Sequence, residues 1–131
     1  TFKYISMENN NININVESNF IKERSSSAVP IYLFSYNIEI YNGGTEEVRL
    51  LSRYWHIKDG NGHVEEIRGP GVVGLKPLIG SDEIFKYSSY CPLKTPFGVM
   101  SGSFQLKNRR QGIRFDVLIP PFSLTVSDYI N

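Results

Sequence analysis

Residues 68–77 run Arg-Gly-Pro-Gly-Val-Val-Gly-Leu-Lys-Pro, and Gly69, Gly71 and Gly74 have the spacing of a Gly-x-Gly-x-x-Gly phosphate loop. In a dinucleotide site such a loop follows a parallel strand and opens a helix, whose N-terminal amides and dipole hold the pyrophosphate. Pro77 stands three residues beyond Gly74, where proline costs a helix interior about 3 kcal/mol. The flanking residues alternate with the period of antiparallel strands rather than building a strand-helix-strand unit. A Rossmann site is thereby disfavoured. Two readings remain. The glycines permit positive φ or close packing at a sheet edge, or their amides, flanked by Arg68 and Lys76, form a cationic nest for a phosphate-bearing metabolite.

Other reactive residues make weaker constellations. His56 and His63 flank a turn that also carries Asp59, and two imidazoles with a carboxylate suit a divalent metal. The positions fall on opposite strand parities with no cysteine near, so these histidines are only weak metal candidates and no metal site is assigned. Cys91 has no histidine close in sequence and is followed by Pro92; a small buried side chain at a strand end suits it better than a nucleophile. The adjacent carboxylates Glu46–Glu47 and Glu65–Glu66 lie in strands or turns and point to opposite faces or out to solvent, so neither pair is an acid/base dyad by spacing. No serine lies in a nucleophile elbow. Arg53 and Trp55 lie one residue apart in a strand, and arginine, tryptophan and tyrosine dominate protein-interface hot spots. The bland alternative is an arginine stacked on a ring or paired with Glu65 or Glu66.

These residues must be positioned by strands. The chain has 131 residues, eight Tyr, eight Phe and one Trp, enough for one core without metal or disulfide support and rich in strand-forming side chains. A net charge of +1 gives no single-signed field for nucleic acid or a membrane. The lone cysteine rules out an internal disulfide and suits a cytoplasmic setting. No apolar run approaches a membrane span, and the N-terminal residues lack the apolar stretch of a secretion signal.

Period-two alternation predicts strands over 11–16, 32–40, 48–58, 63–67, 83–90, 100–106 and 113–119, with a last edge strand carried by Phe122, Leu124 and Val126. In the third, Val48 and Leu50 lie on even positions but Trp55 and Ile57 on odd ones, which predicts a β-bulge near Ser52 or Arg53. Asn42-Gly43-Gly44-Thr45 reads as a tight reversal through positive φ; residues 59–62 read as a hairpin turn. Residues 22–28 read as a mobile connection, 68–81 as mostly loop with a brief strand at Val72 and Val73, and 91–98 as a second proline-bearing loop. Pro120-Pro121 should interrupt its strand. Seven to nine short strands at this spacing predict an all-β, immunoglobulin-like sandwich of two antiparallel sheets, with a closed barrel as the alternative. One such domain accounts for residues 1–131, with an N-terminal strand and connection over 1–30 and a core over 31–126.

Several segments together resemble the ApaG domain, also called CorD in some bacteria. They are Asn42-Gly43-Gly44, Leu50-Leu51-Ser52-Arg53-Tyr54-Trp55, Asp59-Gly60-Asn61-Gly62, Val64-Glu65-Glu66, the glycine loop with Pro77, Cys91-Pro92-Leu93 with Thr95-Pro96, and 98–104. That family usually has histidine before the tryptophan; here Tyr54 stands there, which weakens any metal site relying on that position. The resemblance implies a fibronectin-III or immunoglobulin-like sandwich without assigned catalytic residues. It also implies an association with cobalt resistance and magnesium efflux in bacteria, where the gene often neighbours one for a diadenosine-tetraphosphate hydrolase. In eukaryotes the domain occurs in F-box and polymerase-interacting proteins.

The expectation is a non-enzymatic recognition module without a cofactor that binds another protein, a homodimer being possible. Its contacts should come from Arg53, Trp55, Arg68, Gly69, Gly71, Gly74, Lys76 and Pro92, on the loops 68–77 and 91–100. The alternative is small-ligand or ion binding: a phosphate-bearing metabolite at the glycine loop, or a divalent cation, cobalt or magnesium, as the resemblance implies.

Overall fold

A computed structural model describes residues 11–126. Eight strands run in chain order: β1 (Ile12–Phe20), β2 (Tyr32–Asn42), β3 (Val48–Asp59), β4 (Val64–Pro70), β5 (Leu78–Ile79), β6 (Ile84–Leu93), β7 (Phe97–Asn108) and β8 (Arg114–Thr125). They pair antiparallel in two sheets, one ordered β1-β2-β6, the other β4-β3-β7-β8 with β5 beside the start of β3. The all-β sandwich is as the alternation predicts.

The core lies between the sheets. Phe34, Tyr36, Ile38 and Ile40 of central β2 are buried along one face, and they meet Leu50, Trp55 and Ile57 of β3, Met100, Phe104 and Leu106 of β7, and Val117, Ile119 and Leu124 of β8. Trp55 packs edge-on against Tyr36, Phe122 and Phe104, at ring-centroid distances of 5.4, 5.9 and 6.4 Å. Edge-to-face contacts at this range are favourable because a positive ring edge meets a negative face. The parity break in β3 is a bulge, one residue before the predicted place. Leu50 faces Leu106 while Ser52 faces Gln105, so Leu51 is the extra residue.

Four local readings change. Residues 43–47 carry the chain from one sheet to the other instead of closing a hairpin, and neither Gly43 nor Gly44 has positive φ. The buried Asn42 holds this crossover, its Nδ2 donating to the carbonyls of Glu46 and Ile79 and its Oδ1 accepting from Gly44 N–H. Cys91 and Pro92 belong to β6, leaving only 94–96 as loop; Pro92 is tolerated because β6 is an edge strand. Pro120 and Pro121 lie inside a continuous β8, also an edge, where the register with β7 shifts by one residue. The serine connection is tied down: Leu33 N–H donates to Ser25 Oγ, Ser25 Oγ–H to the Ile21 carbonyl, and Ser26 bridges Ile31.

Candidate recognition surface

The glycine loop leaves β4 at mid-height of β3 and returns to it through β5. Gly71 N–H donates to the Leu51 carbonyl at 2.8 Å, Leu50 N–H to Pro77 at 3.0 Å, and Arg49 Nη1 to the Lys76 carbonyl at 2.8 Å. Between these ties, residues 72–75 form a two-residue reversal. Val72 and Leu75 exchange backbone hydrogen bonds of 2.8 Å each way, with φ of +42° at Val73 and +81° at Gly74. Positive φ at both central residues is the pattern of a type I′ turn. Val72 is buried; Val73 and Leu75 are 52% and 54% exposed.

Arg53 fixes the loop from below. Its Nη1 donates to the carbonyls of Pro70 (3.1 Å) and Gly71 (2.9 Å), and its guanidinium lies against Gly69, where a Cβ would be 3.0 Å from both terminal nitrogens. This role is neither ring stacking nor pairing with Glu65 or Glu66. The Arg53 side chain faces between the sheets, near enough that its charge opposes the rise that burial, the first cause, imposes on the phenols of Tyr36 and Tyr87. Gly71 has φ of +59°, and a Cβ on it would lie 2.1 Å from the Leu75 carbonyl oxygen. Only glycine fits there.

On the outer face of the same sheet Tyr54 organises two charges. Arg68 stacks over its ring, Cζ 4.3 Å from the centroid, and its hydroxyl donates to Glu66 Oε2 at 2.5 Å. That bond is the main cause of a raised Tyr54 pKa. Arg68 thus takes the ring-stacked reading.

The remaining sequence candidates fall elsewhere. Trp55 is enclosed in the core, with no surface to offer a partner. Pro92 lies on the other sheet, in register with Leu33. Lys76 is exposed beside the turn. The two loops read as one surface are apart: Gly71 is held at Leu51, whereas Thr95 Oγ1 accepts from Gly60 N–H at 2.8 Å, just past the far end of β3, or roughly 30 Å away at strand rise. His56 faces Glu66 across the sheet. Asp59 uses Oδ1 to accept the backbone N–H groups of Asn61 and His63, capping the turn. Among the described residues no three His, Cys, Asp or Glu side chains gather as a metal site would need. Cys91 is buried, and burial, with the Glu65 charge second, pushes its thiol up to about 11. A thiol held neutral is a poor nucleophile.

A family model described as the ApaG domain matches residues 22–108. The chain belongs to the ApaG domain family. "Protein ApaG" of Mesorhizobium japonicum is 47% identical over 114 residues, covering 87% of each chain, and that of Methylobacterium radiotolerans is 45% identical over 117 residues, covering 89% of each. Among solved structures, the X-ray structure of the Northeast Structural Genomics Consortium target SoR45 superposes with a TM-score of 0.85 at 38% identity, over 90% of this chain and 89% of that one. The putative ApaA protein from Bordetella pertussis gives 0.84 at 38%, over 87% and 92%. The ApaG segment runs from the start of the serine connection to the end of β7 and so contains the whole glycine loop and its Arg53 clamp.

Sequence reasoning singled out the loop and Arg53 but did not place Val73, Leu75, Glu66 or Tyr54 among the contact residues. Two residues between Val72 and Leu75 are the right length for a hairpin turn, but valine at positive φ runs against propensity and gives no local signal.

Proposed function

We propose that this ApaG domain is a cytoplasmic, non-catalytic recognition module that binds another protein through the 71–75 turn. Val73 carries the reading. A β-branched residue at φ of +42° is strained by about 1–3 kcal/mol, and Asn-Gly would make the same turn without strain. The valine harms the fold and puts an apolar side chain into water, beside an equally exposed Leu75. A strained, exposed, apolar tip is what a partner's pocket would select. The clamp by Arg53 holds it in one conformation, which limits the ordering cost of binding.

Two further observations support a binding role over catalysis or direct ion handling. The one thiol is buried and hard to ionise, and of the two histidines His56 lies within β3 opposite Glu66 while His63 follows a turn whose Asp59 already accepts backbone amides. The family's association with cobalt resistance and magnesium efflux would then act through the partner. A phosphate at the glycine loop draws less support, because the amides of Gly71, Val72 and Leu75 already donate within the protein.

The test is affinity capture from native cells with wild type and a V73N/L75S variant. The variant should remain folded and lose one or more proteins that the wild type retains. Identical captured sets would defeat the reading, and a calorimetric signal with pyrophosphate, nucleotides or divalent ions would favour the ligand alternative.

A further inference from the structure

The outer edge of β4 is self-complementary, and we infer that two copies of this chain pair there, β4 against β4′, in one register about a two-fold axis at Ile67. The backbone sets which groups are available. Asp59 N–H donates to the His63 carbonyl and Gly71 N–H to the Leu51 carbonyl. Both pairs fit the β3–β4 register, so the odd residues Glu65, Ile67 and Gly69 exchange their hydrogen bonds with β3. The peptide groups of Val64, Glu66 and Arg68 therefore face away from it, and among the described residues β4 ends its sheet.

The other edges are obstructed. β8 carries Pro120 and Pro121, and β6 carries Pro92 and Lys86; proline and lysine are standard edge protection. β1, an edge of the smaller sheet, is packed against β8, where Ser18 Oγ–H donates to the Ser123 carbonyl at 2.8 Å. β4 has no proline before its last residue.

Two constraints then select the register. A continuous sheet needs residues of the same parity to face each other, and the even residues must make the new hydrogen bonds. Placing Ile67 opposite Ile67′ satisfies both. It sets Glu66 opposite Arg68′ and Arg68 opposite Glu66′, two opposite-charge pairs on the outer face, with four backbone hydrogen bonds between them. Shifting by one step in either direction brings Glu66 against Glu66′ or Arg68 against Arg68′. Tyr54 already holds both charges in place, one by its hydroxyl and one by its ring, so little freedom is lost on pairing. Ile67, 40% exposed on the inner face, gains an apolar neighbour at a non-hydrogen-bonded position. There Cα atoms approach to about 4.5 Å, within disulfide range.

This goes beyond the proposed function, which concerns the turn, and the two fail separately: edge variants should lose the dimer, turn variants the captured partner. Sedimentation of the full chain across the micromolar range should show a concentration-dependent dimer. E66R and R68E, each verified as folded by circular dichroism, should each weaken it by roughly tenfold or more, since two attractive pairs become repulsive. An equimolar mixture of the two should recover the dimer, because one strand then carries only positive charge at positions 66 and 68 and the strand facing it only negative charge. Independently of those variants, I67C should cross-link on mild oxidation while E65C does not, with the buried Cys91 inert in both. A wild type monomeric throughout, a mixture no more associated than its components, or an uncross-linked I67C would each overturn the inference.

Discussion

The two sides of the sandwich obey the same pairing rules and end in opposite states. On one side β1 and β8 close against each other: Ile12 and Leu124 are fully buried, and Ser18 and Ser123 are bonded across the seam. On the other, every residue of β4 is exposed except the half-buried Gly69. The larger sheet is four strands wide along β4-β3-β7-β8 and the smaller only three, so one strand must overhang. With β1 seated on β8, the overhang falls at β4. The closed side gives stability, since apolar area is removed from water there. The open side gives, among the described residues, an edge with no further strand beside it and an adjacent turn with an exposed apolar tip.

That contrast is broken most directly by comparing one residue from each side. Leu124→Ala empties a fully buried site and should cost about 2–5 kcal/mol. Ile67→Ala, at a partly exposed position over the open flank, should cost about 1 kcal/mol or less. Urea denaturation at low protein concentration, where no dimer contributes, reads both. Equal losses would mean that β4 is covered after all.

Gly71→Ala should come next, at about 1–3 kcal/mol, because the added Cβ collides with the Leu75 carbonyl in a left-handed backbone. Its damage should be confined to the flank. Hydrogen exchange would show amides of the 71–77 loop losing protection while those of β2 and β7 keep theirs. Loss of protection in β2 would show that the loop is part of the cooperative core.

How far such contrasts were legible in the sequence depended on whether their cause was local. Alternation along β2 gave the strand, and the parity break between Leu50 and Trp55 gave a bulge within one residue, because a one-residue slip turns side chains to the other face. Proline and glycine misled where sheet order decides their meaning. Pro92 and Pro121 looked like interruptions but lie on edges, where a missing N–H harms no ladder, and Asn42-Gly43-Gly44 looked like a hairpin because nothing local separates a reversal within a sheet from a passage between sheets. Within the candidate site, Arg53 and the glycines were found, but not what Arg53 does. Its carbonyl partners are 17 and 18 residues away in sequence, brought to it only by the β3–β4 pairing. Trp55, beside Arg53, reads as a contact residue. Its parity, shared with the core-facing Ile57, decides for the core.

The flank can also be sharpened by titration. Cys91 sits on the inner face of β6, and burial, with the charge of Glu65 from overhanging β4 second, raises its thiol from an ordinary 9.0 to about 11. In the unfolded chain the thiol ionises first, so its contribution to stability is complete below about pH 9 and is lost as pH rises towards 11. Over that window the stability difference between wild type and Cys91→Ala should shrink by about 1–2 kcal/mol, after discounting for solvent screening. A constant difference would mean that water reaches the sulfur through the open side and that the overhang is wider than β4 alone.

The smallest effect concerns the turn and has the opposite sign. Val73→Asn creates Asn-Gly at a turn whose two central residues already have positive φ. Asparagine enters that region at lower cost than valine, so the melting temperature should rise, by about 0.5–1 kcal/mol in stability. A matching substitution in the β3–β4 turn, Asn61→Val, should not stabilise, since that turn has no such strain at position 61. If Val73→Asn is neutral or destabilising, the valine serves the fold and its strain is not retained for a partner. If it stabilises and capture is lost together, the same side chain accounts for both, which no residue of the closed side should do.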